Sequence, residues 1–292
     1  MEMYSYRMPR KETLIMPVGD IQWAGESVDV ALNMLKRHIQ WGIEHDAWFI
    51  GMGDYIDAFS PSQRHAIQTA VKYDTAKKVI NQTAVNLVDQ IYHEAFRGSE
   101  GRWLGLLEGH HFHEFPEGDT SDMRLAKMLK TVHLGSLAYV RLKYEQSEDH
   151  WNDVLIWCHH GVGSGTRAGS PATKMELLPA YWDGDIFLMG HHHRKFAVPM
   201  DRVVPVWPKV GVQPPRLVHK TVMLVGTGGF LKGYPSQHRI GNIPRGTYVA
   251  QKMLPPVALG GVLVKIRPRW KASPRGEGAR TMYWLPDISA EV

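Results

Sequence analysis

The stretch IFLMGHHHRKF, residues 186–196, joins an apolar run to three consecutive histidines. An apolar run of this length that ends in glycine is typical of a buried strand that stops at a sheet edge. If the chain stays extended past Gly190, His191 and His193 lie on one side and His192 lies on the other. Because imidazole is a frequent metal ligand, the stretch predicts a strand followed by a pair of candidate ligands.

Similar apolar runs recur along the chain and alternate with segments of helical periodicity. Strands are predicted over residues 13–18, 47–52, 103–107, 154–158, 186–189, 221–225 and 261–266, and helices over residues 28–43, about 64–96 and about 122–131. Strands that alternate with helices favour an α/β sheet covered on both faces. From about residue 198 the pattern changes to Pro- and Gly-rich loops with short strands. No interdomain linker is evident, so we expect a single α/β domain with a β-rich C-terminal portion.

The composition is that of an ordinary globular protein, with 292 residues of which 43% are hydrophobic and 22% charged. No apolar run approaches the roughly 18 residues that a membrane span needs. The N-terminal stretch MEMYSYRMPRKETL lacks the apolar segment of a secretory signal. Cys158 is the only cysteine, which excludes an intramolecular disulfide and fits a reducing compartment. We therefore expect a cytoplasmic protein with no membrane association.

The charge is distributed unevenly along the chain. Residues 1–190 carry 18 Lys and Arg against 25 Asp and Glu, whereas residues 191–292 carry 16 against 4. A basic C-terminal third is typical of a protein that binds nucleic acid or another polyanion. It is equally compatible with a solvated basic surface that balances an acidic half, because the basic residues are dispersed.

An Asp or a His, usually beside a glycine, follows each of the first five predicted strands. The residues in question are Asp20, then Asp54 and Asp57, then His110 and His111, then His159 and His160, and finally the histidines of the opening stretch. Since ligands bind at the carboxyl ends of strands in open α/β sheets, these loops are expected to converge. Carboxylates with imidazoles suit Mn, Fe, Zn or Co. Two such ions, about 3.5–4 Å apart, would clamp a phosphate and activate water.

These blocks, in this order, resemble the signature of the calcineurin-like metallophosphoesterase superfamily. That signature is D-x-H, G-D-x-x-D, G-N-H-[DE], a lone histidine and G-H-x-H, and the match spans residues 14 to about 230. The resemblance implies an α/β fold, a four-layer α-β-β-α sandwich in which two mixed sheets are flanked by helices. Residues 1–292 would form one domain, with a core of about 14–230 and a basic β-rich portion of about 231–292.

The resemblance also implies roles for individual residues. The first metal would be held by Asp20, Asp54 and His193, and Asp54 would bridge to a second metal that His110, His159 and His191 complete. For the histidine after the fourth strand, His159 is preferred and His160 stays open. His111 matches the residue thought to contact phosphate and protonate the leaving group. Arg64 and Arg167 lie just beyond ligand blocks and are weaker candidates for phosphate binding.

Two positions depart from the signature. Gln22 replaces the histidine of D-x-H and offers only a neutral amide oxygen, whereas His110 replaces an asparagine with a better ligand. Three interpretations follow: the two sites have shifted affinities, the register of residues 109–114 differs so that His113 or Glu114 takes part, or the site is degenerate.

The sequence therefore predicts a phosphoesterase with two divalent metal ions, Mn being preferred over Fe, Zn or Co, that hydrolyses a phosphate ester by metal-bound hydroxide. The basic C-terminal third favours a phosphodiester, including DNA or RNA. The alternatives are a phosphomonoesterase acting on protein or small molecules, and a non-catalytic scaffold that retains the fold. No oligomeric state follows from the sequence.

Overall fold

The computed structural model describes residues 2–26, 28–58, 73–147, 150–163, 167, 169–206, 216–236, 239–240, 243–244, 246–268, 270–271, 283–284 and 286–292. The strands are β1 (Glu2–Met8), β2 (Thr13–Val18), β3 (Trp48–Gly51), β4 (Trp103–Leu107), β5 (His133–Gly135), β6 (Leu137–Ser147), β7 (His150–His159), β8 (Ile186–Met189), β9 (Lys195–Val206), β10 (Arg216–Thr227), β11 (Arg239–Ile240), β12 (Ile243–Pro244), β13 (Leu263–Arg267), β14 (Trp270–Lys271), β15 (Tyr283–Trp284) and β16 (Asp287–Glu291). The helices are α1 (Leu32–Glu44), α2 (Asp74–Ile91), α3 (Ser121–Met128), α4 (Ser170–Glu176), α5 (Leu178–Tyr181) and α6 (Tyr248–Gln251), and a π-helical turn (Tyr92–Phe96) continues α2.

Twelve of these strands form two mixed sheets of six strands each. The β3 sheet has the order β16-β13-β2-β3-β4-β5, in which β2 to β5 run parallel and β13 pairs antiparallel with β2. The β7 sheet has the order β1-β6-β7-β8-β10-β9, in which β7, β8 and β10 run parallel. Parallel neighbours bring their carboxyl ends to one edge of each sheet, which is where the candidate ligands follow in sequence.

The buried apolar residues show that the two sheets are stacked with helices outside. Strand residues alternate between two faces, so in β3 the side chain of Ile50 packs between the sheets while that of Phe49 packs under helix α1. Leu35 and Ile39 of α1, spaced at helical intervals, cover that outer face. On the β7 sheet, Phe187 packs outward against Met175 of α4. The result is the expected α-β-β-α arrangement.

The C-terminal portion contributes to the core as well as to the surface. Strands β13 and β16 add to the β3 sheet beside β2, and Val264 and Ile266 pack between the two sheets. Cys158 is fully buried in the same layer. Among the residues described, no helix has the length and apolar character needed to cross a membrane.

Candidate metal centre

The loops after β2, β3 and β4 interlock through their backbones. Asp20 N–H donates to the carbonyl of Gly53 (3.0 Å) and Gln22 N–H donates to that of Asp54 (2.9 Å). Gly109 sits directly against Asp54, and a Cβ added to it would lie 2.1 Å from the Asp54 nitrogen and 2.2 Å from its Oδ1. Since no real Cβ makes such contacts, glycine is required at this position.

Backbone strain is concentrated at the same edge. Eight non-glycine residues in the described part of the chain have positive φ, and five of them lie here: Asp20 (50°), Gln22 (51°), Asp54 (55°), His191 (65°) and His193 (54°). Such conformations cost about 1–3 kcal/mol each and gather at functional sites, where the surrounding structure enforces them. The sequence pattern and the strain therefore mark the same five positions.

Two buried carboxylates occupy the centre of this edge. Asp20 is fully buried, its Oδ2 accepts a hydrogen bond from His191 N–H (2.9 Å), and its Oδ1 lies 3.5 Å from His193 Nε2. Asp54 is equally inaccessible. Its Oδ1 accepts hydrogen bonds from the backbone N–H groups of His110 and His111, so its Oδ2 remains for another partner.

One imidazole faces that remaining oxygen, and two more pack against it. His160 Nε2 is 3.2 Å from Asp54 Oδ2, and the rings of His110, His160 and His191 lie edge to face with centroids 4.7 to 5.4 Å apart. The ligand atoms of these three residues fall within 4.8 Å of one another, as do those of Asp20, Asp54 and His160. With Gln22 and His193, these residues form what we call the candidate metal centre.

The structure places His160, and not His159, in both ligand groups. His159 ends β7 on the same face as Trp157, because strand residues two apart share a face, and its ring stacks on Trp157 at 5.8 Å. Its Nδ1 accepts a hydrogen bond from Gly161 N–H. The next residue, His160, turns into the centre.

The chain does not stay extended past Gly190, which was the condition for placing His191 and His193 on one side by alternation. His191 and His193 adopt left-handed backbone conformations, and His192 N–H folds back to the Gly190 carbonyl (2.7 Å). The turn nevertheless brings His191 against His110 and His193 against Asp20. His192 contacts the ring of His191 and belongs to neither ligand group.

Gln22 is buried inside the centre. Its Nε2 lies 3.4 Å from Asp54 Oδ2, and its Oε1 is buried without a hydrogen-bond partner. An amide oxygen in that state is a free acceptor.

His111 stands beside the centre and is held by a residue to which the sequence assigned no role. Its Nδ1 lies 2.8 Å from Asp57 Oδ1. Although burial opposes the charged form, the hydrogen bond to Asp57 raises the pKa of His111 above its ordinary value. The second aspartate of Gly53-Asp54-x-x-Asp57 was the sequence signal for this pair.

Other candidates lie apart from the centre. His113 Nε2 pairs with Asn81 Oδ1 (2.8 Å) and its ring packs against Phe115, while Glu114 is exposed, so neither supports the altered register. Arg167 is exposed before α4. Arg64 lies outside the described residues.

A buried residue that the sequence did not reveal supports the loop after β4. Asp122, in the first turn of α3, accepts a hydrogen bond from Gly109 N–H (3.1 Å). Its burial raises its pKa to about 7. Only the fold brings it under this loop, since it follows Gly109 by 13 residues with no glycine or histidine beside it.

The ionisable residues of the centre differ in the direction in which their pKa values are shifted. Burial raises the pKa of Asp20 to about 7. Burial also favours the protonated form of Asp54. The neighbouring His160 and the backbone N–H of His111 nevertheless hold the pKa of Asp54 well below its ordinary value. Burial lowers the pKa of both His191 and His193 to about 4, so these imidazoles are neutral near pH 7, the form that binds a metal ion.

The residues present fit divalent metal ions. His160 Nδ1 lies 2.6 Å from the Met52 carbonyl, and a carbonyl only accepts, so Nδ1 is protonated and Nε2 is the nitrogen that faces Asp54. Although burial opposes the charged form, the neighbouring Asp54 raises the pKa of His160 to about 9, so a metal ion bound here would replace the proton on Nε2. Asp20 Oδ1 and Gln22 Oε1 are both buried without hydrogen-bond partners. Buried polar atoms are rarely left unpaired, and carboxylate, amide and imidazole donors together suit Mn²⁺ or a similar ion.

A cavity of about 820 Å³ opens beside the centre. His111 and His191 to His193 form one side of it, and residues between Leu231 and Leu259 form the other. The cavity therefore borders both the centre and the C-terminal portion.

Comparisons with known proteins leave the family open. No protein-family model matches this chain, and no curated protein matches it. A solved structure that it resembles is Vps29 of Chaetomium thermophilum, at 8% sequence identity and a TM-score of 0.32, covering 95% of this chain and 96% of that one. A likeness at this level carries no argument, so function rests on the site itself.

Proposed function

We propose that this chain is a phosphoesterase that binds two divalent metal ions, Mn²⁺ being preferred, at the candidate metal centre. The single observation that supports this most strongly is the pair of ligand groups, Asp20–Asp54–His160 and His110–His160–His191. The first group contains Asp20 Oδ1, a buried acceptor atom without a hydrogen-bond partner. The ordered blocks that resemble the calcineurin-like superfamily add support from the sequence.

Asp54 is the residue that we assign to both ions, because its carboxylate could be shared between them. His160 belongs to both groups, but its Nδ1 is occupied by the Met52 carbonyl, so only one nitrogen remains and it serves one ion. A carboxylate has several lone pairs on each oxygen, and Asp54 Oδ2 lies between His160 Nε2 and Gln22. Asp20, Gln22 and His193 would complete one position, and His110, His160 and His191 the other.

When bound, the two ions supply positive charge that polarises a phosphate and activates water. The chain supplies the rest. Asp57 fixes the orientation of His111 through the Nδ1 contact, so His111 is the proposed proton donor to the leaving oxygen. The basic composition of residues 191–292 supports a phosphodiester, including nucleic acid, over a monoester.

The proposal is tested by assaying bis-p-nitrophenyl phosphate and p-nitrophenyl phosphate with and without added Mn²⁺. We expect Mn²⁺-dependent turnover that His111→Ala slows by about 10²–10⁴-fold, the usual scale for a positioned proton donor, while bound metal is retained. His45→Ala, at an exposed histidine after α1, is the matched control. No turnover of either ester, or of nucleic acid, would contradict the proposal, and metal loss in His111→Ala would make His111 a ligand.

A further inference from the structure

The cavity beside the centre has the size of a small-molecule site. Its volume of about 820 Å³ falls in the range of about 300–1,000 Å³ that is typical of ligand pockets. It holds one nucleoside-sized or smaller organic group, and it is too small for a nucleic-acid duplex.

The C-terminal lining of the cavity is mostly apolar. It is built by Leu231, Val249, Leu254, Val257 and Leu259, together with Pro255 and Pro256. Leu231 and Val249 are buried, whereas Leu254 and Val257 are half-buried. An organic group seated there would remove further apolar surface from water, which is the favourable term.

The apolar wall is fixed to the metal centre through the backbone. The N–H groups of Phe230 and Leu231 both donate to the carbonyl oxygen of Asp20, at 2.9 and 3.2 Å. Gly229 and Gly260 exchange two hydrogen bonds at 3.1 and 2.9 Å, which join the two ends of the segment. The backbone of Asp20, a candidate metal ligand, is therefore hydrogen-bonded directly to Leu231, where the wall begins.

The wall is also braced within itself. The Tyr234 hydroxyl donates to the Leu254 carbonyl, Thr247 Oγ1 donates to the Gly233 carbonyl (2.6 Å), and Leu254 N–H donates to the Val249 carbonyl (3.0 Å). The first two bonds join the start of the wall, at Gly233 and Tyr234, to its later part, at Thr247 and Leu254. The cavity is thus pre-formed, which lowers the cost of binding.

Two cationic side chains complete the lining. Arg194 and Lys232 contact the same cavity as the apolar residues. Cations favour an anion, and the histidines of the centre form the adjoining side. The lining matches a ligand with an anionic end and an apolar body.

We infer that this cavity binds the organic part of a small phosphate ester, and that this part is apolar or aromatic. The inference rests on the proposed function for the position of the phosphate, at the metal centre, and assigns the specificity of that site to residues 231–259. A nucleotide base at the end of a single strand belongs to the same chemical class.

The test compares two anions that differ only in the organic group. Phenylphosphonate and methylphosphonate carry the same head group on a P–C bond that is not hydrolysed, so calorimetry on the Mn²⁺-loaded protein measures binding without turnover. We expect phenylphosphonate to bind at least about tenfold more tightly, the scale for burying one aromatic ring. Leu254→Ser and Val257→Ser should each reduce this preference without changing the affinity for methylphosphonate.

Leu217→Ser is the matched control, since Leu217 is 72% exposed on β10 and does not line the cavity. Equal affinity for the two phosphonates, binding of neither, or an unchanged preference in both wall variants would overturn the inference. A preference for phenylphosphonate in a protein that hydrolyses no ester would overturn the proposed function instead. Turnover of an ester without a preference for phenylphosphonate would overturn the inference and leave the proposed function intact.

Discussion

At the scale of single residues, Gln22 is the position at which this chain departs most from the signature it resembles. Its amide oxygen is neutral and donates less electron density than imidazole, and oxygen ligands suit Mn²⁺ better than Zn²⁺. Because that oxygen is buried without a partner and the amide nitrogen faces Asp54 Oδ2, the side chain is placed to serve as a weak ligand. The position held by Asp20 and Gln22 should therefore be the looser of the two.

We predict that the wild-type protein shows less than full occupancy at this position after dialysis and gains activity when Mn²⁺ is added. Gln22→His should raise the occupancy without added metal, since histidine tolerates the left-handed backbone found at this position better than most residues do. Elemental analysis of both proteins after dialysis is the measurement. Two tightly held ions in the wild type, unchanged by the substitution, would show that Gln22 does not limit the site.

At the scale of elements, the contact between the loops after β3 and β4 depends on Gly109. A Cβ there would lie 2.1 Å from the Asp54 nitrogen, so Gly109→Ala must displace Asp54 or its own loop. We predict at least a tenfold loss of Mn²⁺ affinity, about 1.4 kcal/mol or more, measured by calorimetry. Gly169→Ala is the matched control because nothing lies within 4 Å of its added Cβ. Equal metal affinity in the two variants would show that the close contact between Gly109 and Asp54 does not position the metal ligand.

Helix α3 contributes a pH dependence through Asp122. Its folded pKa of about 7 lies above the ordinary value of about 3.9, so the folded state retains a proton that the unfolded state releases. In metal-free protein the free energy of unfolding should therefore fall, by up to about 1.4 kcal/mol per unit, as pH rises from about 4 to about 7.

The difference in stability between the wild type and Asp122→Asn isolates this group, because other titrations cancel. Urea unfolding in EDTA at pH 5 and pH 7.5 should show that the wild type loses more stability than the variant as pH rises. An identical pH dependence in the two proteins would refute the assignment.

The sequence predicted the elements that carry the centre because their signals are local. Apolar runs that end in glycine and an Asp or His located β2, β3, β4, β7 and β8, and parallel strands then imply a shared edge. The choice between His159 and His160 could not be made locally, since a shift of one residue exchanges the two faces of β7. The turn after Gly190 depends on the bond from His191 N–H to Asp20, a contact between residues 171 positions apart. Asp122 was missed for the same reason.

At the scale of the whole molecule, the basic C-terminal third and the apolar cavity make separable predictions about the substrate. If the basic residues contact a nucleic-acid backbone, counterions are released and affinity depends steeply on salt. We predict that the affinity for a single-stranded oligonucleotide falls at least about tenfold between about 50 and 200 mM salt, whereas that for phenylphosphonate changes much less. Fluorescence anisotropy measures the first and calorimetry the second. Absent or salt-insensitive oligonucleotide binding would leave only small esters as substrates.

The proposed centre requires that two metal ions share Asp54. Calorimetric titration of metal-free protein with Mn²⁺ tests it most directly, with Asp54→Asn as the variant and Asp57→Asn, which touches His111 but belongs to neither ligand group, as the control. We predict two bound ions per chain in the wild type and in Asp57→Asn, and weakened binding at both positions in Asp54→Asn because each ion loses the shared carboxylate. Absence of stoichiometric binding in the wild type, or two unchanged ions in Asp54→Asn, would contradict the account.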